Sequence, residues 1–163
     1  MITRLAEQKD LPAIVEIYNQ AIKTKISTAE TILVSVSDKQ YWFEEHANKK
    51  CPLLVAEKNK EIVGWISLSP YRKGRQALEQ TAEISYYVHN RYHRKGTGSL
   101  LMQTMIDRAK QLGYENLIAI IMSPNTASAG LLKKFRFEKW GLMPGVIKMD
   151  DKIYDHLYYG LKL

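Results

Sequence analysis

The chain has 163 residues, 45% of them hydrophobic and 25% charged, and a formal net charge of +7. That is the size of one ordinary domain with a globular composition, which excludes a disordered chain and leaves no room for a second domain. The basic balance suits an anionic partner such as nucleic acid, a membrane surface or a phosphorylated small molecule, although the cations form no long block.

Cys51 is the only cysteine, so no internal disulfide forms, and a reducing compartment fits. Met1-Ile2-Thr3-Arg4 lacks the apolar core of a signal peptide. The longest apolar run, Leu117 to Met122, is too short to span a bilayer. A cytoplasmic protein with no membrane association is expected.

Ile2 to Leu5 reads as a short strand. Asp10 offers an N-cap and Pro12 fits a first helical turn. Leu11, Ile14, Tyr18, Ala21 and Ile22 then recur at helical spacing. Ser37 and Gln40 form a capping box for a second helix through about Ala47. After Pro52, Leu53 to Ala56 and Ile62 to Ile66 are β-rich runs around a polar turn, which predicts a hairpin. Tyr71 to Gln80 is a basic loop, and Thr81 to Val88 is a strand.

A glycine loop follows, and then a helix carrying Leu100, Leu101, Met105, Ala109 and Leu112, stopped by Gly113. Leu117 to Met122 is an apolar strand buried on both faces. Pro124 and Asn125 end it, and Thr126 to Phe135 is a short helix. Two strands close the chain, around Trp140 and from Leu157 to Leu163. The order is strand, two helices, three strands, helix, strand, helix, two strands. It predicts an α/β (α+β) domain over residues 1–163, with a single mixed, mostly antiparallel, six- to seven-stranded sheet flanked by helices.

The loop His93-Arg94-Lys95-Gly96-Thr97-Gly98 sits between a strand and a helix. A helix head offers unpaired N–H groups and partial positive charge, and glycines let a phosphate approach them. Arg94 and Lys95 add charge in the same place, so the site suits a pyrophosphate. The spacing is not that of a P-loop, and the third glycine of a dinucleotide fingerprint is replaced by Leu101. A turn using glycine for geometry alone stays open at this point.

These residues resemble the GNAT superfamily of acetyl-CoA-dependent N-acetyltransferases, whose signature is Gln/Arg-x-x-Gly-x-Gly/Ala. His93 departs at the first position, while Gly96 and Gly98 match. Asp10 to Ala21, Thr81 to Val88 and Asn125 to Phe137 also resemble the corresponding family segments. Within the family, the chain is most similar to the phosphinothricin and methionine-sulfoximine type.

The resemblance implies that acetyl-CoA is the co-substrate and that no metal is needed. It implies that His93, Arg94, Lys95, Gly96, Thr97, Gly98 and Ser99 cradle its pyrophosphate. Val88 and Asn125 would bond the pantetheine arm, and Ser128 would lie near the phosphates. The Asn125 side chain also reads as a helix N-cap. Similar enzymes are often homodimers.

Acetyl transfer needs a base for the amine, a donor for the oxyanion and a proton for the thiolate. Alternation puts Glu83, Ser85 and Tyr87 on one strand face and Ala82, Ile84, Tyr86 and Val88 on the other. Similar enzymes place a glutamate base at Glu83. Family members often place a Tyr or His seven residues after the asparagine; here that residue is Leu132. Tyr87, Tyr154 and Tyr158 are the hydroxyls that could serve instead, with Tyr87 on the face of Glu83. The glycine usual before Phe137 is replaced by Arg136.

His89 and His93 lack the partners of a metal site and read as exposed, as does His46. His156 beside Asp155 reads as a site residue or an ion pair. Cys51 is an ordinary thiol, since direct transfer needs no covalent intermediate.

For the acceptor, similar enzymes line the pocket with residues equivalent to Tyr18, Asn19, Thr28, Tyr71, Arg72 and Arg75. The two arginines would suit a carboxylate-bearing amine. The segment Val146 to Asp155 lacks the Trp and Gly of the most similar group. The expected function is N-acetylation of a small primary amine, an amino acid or analogue, by direct attack in a ternary complex. A protein N-acetyltransferase and a non-catalytic coenzyme A-binding module are the alternatives. No stacking stripe or basic recognition helix supports nucleic-acid binding.

Overall fold

The structure, a computed structural model, describes residues 1–46 and 50–163. Seven strands form one sheet in the order β1-β2-β3-β4-β5-β7-β6. They are β1 (Ile2–Leu5), β2 (Leu53–Lys58), β3 (Glu61–Pro70), β4 (Thr81–Val88), β5 (Asn116–Met122), β6 (Glu138–Met149) and β7 (Lys152–Lys162). Every neighbouring pair is antiparallel except β4–β5, which is parallel. No helix among the described residues is long and apolar enough to cross a membrane.

The helices are α1 (Leu11–Thr24), α2 (Val36–Glu45), α3 (Thr97–Gln111) and α4 (Thr126–Lys134). They cover opposite faces of the sheet. Leu11, Ile14, Val15 and Ile17 of α1 pack with Phe43 of α2 against Leu53, Val55 and Trp65. Leu101, Met102 and Met105 of α3 and Leu132 of α4 pack against Ile66, Leu68, Ile84 and Leu117. The alternation of β4 decides which side chains meet which layer: Tyr87 joins the α1 side and Tyr86 and Val88 the α3 side.

Several local details differ from the sequence reading. The capping box of α2 is Ser35 with Asp38, not Ser37 with Gln40, because Asp38 returns to the Ser35 N–H at 2.7 Å. The helix is assigned to Glu45, and Ala47 lies outside the described residues. Asp10 is the N-cap residue of α1 as expected, but its side chain makes no cap bond; its carboxylate accepts from Glu7 N–H at 2.8 Å and pairs with Arg4 at 2.6 Å.

The turn between β2 and β3 is the two-residue Asn59-Lys60, both at positive φ, the geometry that follows strand twist. The last two strands are longer than expected. Val146 to Asp155 forms the end of the β6–β7 hairpin, with Asp150 at φ +53 in its turn. Register shifts after Lys139 and Met143 absorb Trp140 and the Pro144-Gly145 break that hides the strand in sequence. Trp140 lies flat over Gly160, where a side chain would collide with the ring.

Candidate active site

Pairing between β4 and β5 covers only three positions, Thr81 to Glu83 against Asn116 to Ile118. Beyond Glu83 the two strands part, and the edge of β4 lies open. The N–H of His89 bonds the Val63 carbonyl at 3.0 Å, and Gly64 faces Val88. That pattern makes Gly64–Val88 a non-hydrogen-bonded pair, so Val88 turns its own N–H and C=O away from β3 and toward the open edge.

A cleft of about 540 Å³ opens there. Its walls include Val88, His93, Arg94, Gly96, Gly98, Ser99, Asn125 and Ser128. Gly96 caps α3 at φ +84, a left-handed geometry that favours glycine. The first bond of the helix runs from Leu100 N–H to the Gly96 carbonyl at 2.9 Å. The amides of Thr97, Gly98 and Ser99 precede that bond and remain as the donors of the helix head. A β-carbon at Gly98 would sit 3.2 Å from Leu131 Cδ2 and 3.8 Å from Val88 Cγ2, so the glycine also lets α3 approach α4 and β4.

Lys95 and Thr97 do not line the cleft with their side chains. Lys95 Nζ lies over the Tyr92 ring at 5.4 Å, and the Thr97 side chain is buried. His93, the departure from the signature, is a latch. Its Nε2 donates to the Val88 carbonyl at 2.9 Å and ties the loop to β4. Asn125 caps α4, accepting from Ser128 N–H at 3.1 Å.

On the other sheet face a second, smaller cavity of about 100 Å³ is lined by Ile14, Val15, Tyr18, Lys39, Trp42, Trp65, Ser67, Ser69, Ser85 and Tyr87. Tyr87 lines both cavities. It packs on Trp65 with ring centroids 4.8 Å apart and on Tyr18 at 5.0 Å. Burial holds its hydroxyl proton well above the ordinary tyrosine range. Ser85 and Glu83 follow on the same face, opposite Ser67 and Ser69 of β3. Glu83 is half-buried, and among the described residues its carboxylate has no hydrogen-bond or ion-pair partner. Burial therefore raises its pKa with nothing to offset it. A carboxylate with no partner among the described residues stands at the fork of two strands, beside a phenol shared by two cavities.

The larger cleft and the smaller cavity thus meet at Tyr87. The pattern of the acetyltransferase (GNAT) family matches residues 13–137. The chain belongs to the GNAT acetyltransferase family. It is 41% identical over 164 residues to the protein YwnH of Bacillus subtilis (strain 168), covering 100% of this chain and 99% of that one. It is 36% identical over 138 residues to the L-methionine sulfoximine/L-methionine sulfone acetyltransferase of Pseudomonas aeruginosa PAO1, covering 84% and 80%. A GNAT superfamily phosphinothricin acetyltransferase from Sinorhizobium meliloti, solved in complex with acetyl-CoA, superimposes with a TM-score of 0.93 at 26% identity, covering 99% of this chain and 88% of that chain.

In this GNAT chain several expected site residues stand elsewhere. Tyr71, Arg72 and Arg75 lie in the β3–β4 connection, outside the residues lining the smaller cavity, with both arginines exposed. Asn19 does not line that cavity either. Its amide bonds the Val34 backbone at both ends, at 2.8 and 2.9 Å, and pins the α1–α2 connection. Tyr18 does line the cavity and shares a hydrogen bond of 3.1 Å with Thr28. The charged residue at this wall is Lys39, whose Nζ sits 4.7 Å from the Tyr18 ring centre. Lys39, Trp42 and His46 are spaced i, i+3, i+7, so a single helical face was the signal in sequence.

The histidines also differ from expectation. His46 is buried, not on the surface. His89 is buried too, with Nδ1 accepting from Arg91 N–H at 3.2 Å and Nε2 3.7 Å from Glu16. His156 does not pair with Asp155, whose carboxylate accepts from Gly145 N–H at 2.9 Å and closes the hairpin. Leu132 is fully buried in the α3-side core and offers no proton to a sulfur. Tyr158 donates to Met143 Sδ at 3.3 Å, and Tyr154 packs on Met122, Ile147 and Met149. No cluster of potential metal ligands occurs among the described residues.

Proposed function

We propose that this protein moves the acetyl group of acetyl-CoA to the primary amine of a small amino acid or analogue, by direct attack in a ternary complex. The observation that carries the reading is that Tyr87 walls both cavities, with the unpartnered Glu83 on the same strand face. Donor and acceptor then meet at one point of β4, which is what transfer without a covalent intermediate requires.

The amides of Thr97, Gly98 and Ser99 hold the coenzyme's pyrophosphate, with Arg94 adding charge. The Val88 N–H, turned to the open edge, is a donor for the pantetheine arm or the thioester oxygen; the Val88 carbonyl is held by His93. Glu83 lines neither cavity and lies one strand step beyond Ser85 of the acceptor pocket, so it takes the amine's proton through water. The Tyr87 hydroxyl holds its proton too tightly for full transfer, so it donates a hydrogen bond to the leaving sulfur.

A carboxylate on the acceptor suits Lys39, the cation at the pocket wall. The Pseudomonas relative is named for amino-acid analogues of that kind. A cytoplasmic setting fits the lone, buried Cys51 thiol. Self-association fits the exposed apolar side chains Trp140, Leu142, Met143 and Val146 of β6 and Ile153 of β7. Light scattering is then expected to give twice the 18.8 kDa chain mass.

The function is tested by thiol release from acetyl-CoA with L-methionine sulfoximine, L-methionine sulfone, phosphinothricin and spermidine as acceptors. The expected result is amine-dependent release with the carboxylate-bearing compounds and background release with spermidine. Background release with all four, or a preference for spermidine, contradicts the proposal.

A further inference from the structure

We infer that Ser69 and His46 form a proton relay that discharges Glu83 in each turnover, an inference that rests on the reading of Glu83 as the base. Ser69 and Glu83 are direct cross-strand partners in the antiparallel β3–β4 ladder, so both side chains leave the same face of the sheet. Ser69 lines the acceptor pocket. Its Oγ lies 3.1 Å from Nε2 of His46, and Nδ1 of His46 lies 2.7 Å from the Trp42 carbonyl.

A carbonyl only accepts, so Nδ1 carries the ring hydrogen. In the neutral ring Nε2 is then the acceptor, and the Ser69 hydroxyl donates to it. The tautomer is set by the helix, since Trp42 lies in the last turn of α2, where carbonyls lack intrahelical partners. The chain of groups therefore has a direction, from the carboxyl toward a basic nitrogen. Burial holds His46 below the ordinary histidine range, so the ring rests neutral and holds a transferred proton only briefly. Among the described residues, the charged groups around it are Glu45 on the same helix, Lys73 from the β3–β4 connection, paired with Glu45 at 2.9 Å, and Glu83 beyond Ser69.

The acceptor arrives as an ammonium ion and leaves as an amide, so its nitrogen gives up two protons. One passes from the nitrogen to the leaving coenzyme sulfur as the tetrahedral intermediate collapses, and the other must depart. Glu83 takes the departing proton from the amine. Protonated Glu83 passes a proton to Ser69 Oγ, across water where needed, as the Ser69 hydroxyl hydrogen moves to His46 Nε2. The imidazolium keeps its bond to Trp42, and once the product has gone the proton returns through Ser69 to water that enters the emptied pocket. The relay changes no bond to carbon, and nothing is oxidised or reduced.

The test uses Ser69→Ala and His46→Gln with acetyl-CoA and L-methionine sulfoximine. In both variants kcat is expected to fall about tenfold or more, with both KM values unchanged. Added imidazole is expected to raise kcat in the variants and not in the wild type. Wild-type kcat in both variants, or a loss confined to KM or melting temperature without rescue by imidazole, overturns the relay. Glu83→Gln separates the two readings. Full activity in Glu83→Gln removes the base itself, whereas an inactive Glu83→Gln beside fully active Ser69→Ala and His46→Gln removes the relay alone.

Discussion

Tyr18 and Tyr87 meet edge to face, with ring centres 5.0 Å apart, and Tyr87 lines both cavities. The contact fixes the Tyr87 ring, and its hydroxyl stands beside those of Thr28 and Tyr18. Tyr87→Phe keeps the packing and removes the donor to the sulfur. The expected result is a kcat lowered about tenfold with an unchanged acetyl-CoA Kd, read by steady-state kinetics and calorimetry.

Lys39 is expected to select the acceptor. In Lys39→Met, KM for a carboxylate-bearing acceptor should rise about tenfold or more, the worth of a hydrogen bond to a charged group. KM for the matching amine without the carboxylate should hardly move. Arg72→Ala and Arg75→Ala should leave both KM values unchanged, because these side chains stand outside the pocket. Paired kinetics on the two acceptors check this.

Glu83 makes activity and stability respond to pH in opposite senses. Its raised pKa means that the base is lost as pH falls through a value above the ordinary carboxylate range, so kcat/KM should decline there. Burying the ionised form costs stability above that pKa, and the cost vanishes below the unfolded-state pKa of about 4.3. Glu83→Gln should therefore melt at a higher temperature than wild type at neutral pH, with the difference closing in acid. Thermal melts across pH check the sign.

Arg136 holds φ +64, a left-handed geometry that favours glycine, and the turn before Phe137 is nonetheless made: the Phe137 N–H reaches the Leu132 carbonyl at 3.0 Å. Relieving the left-handed strain by Arg136→Gly should stabilise the fold by about 1 kcal/mol, measured by denaturant unfolding.

The sheet, the helix order and the glycine loop at the head of α3 were legible because each rests on a local signal. Period-two alternation in Thr81 to Val88 already placed Glu83, Ser85 and Tyr87 together. The glycine pair sits where strand gives way to helix. What was not legible depended on long-range packing. His46 and His89 sit among polar residues in the chain and read as surface, yet Ser69 and Glu16 approach them from distant segments. Asn19 read as a pocket residue because nothing local shows that Val34 folds back onto it. Arg72 and Arg75 drew attention as a cationic pair, while a lone lysine in α2 did not. The β6–β7 hairpin was shortened because Pro144-Gly145 reads as a break, whereas register shifts carry the strand through.

The most direct measurement is amine-dependent release of the coenzyme A thiol by wild type and by Glu83→Gln, with acetyl-CoA affinity measured in parallel. The account predicts a kcat/KM lower by about a hundredfold or more in Glu83→Gln with unchanged acetyl-CoA Kd. Equal turnover in the two proteins would contradict it.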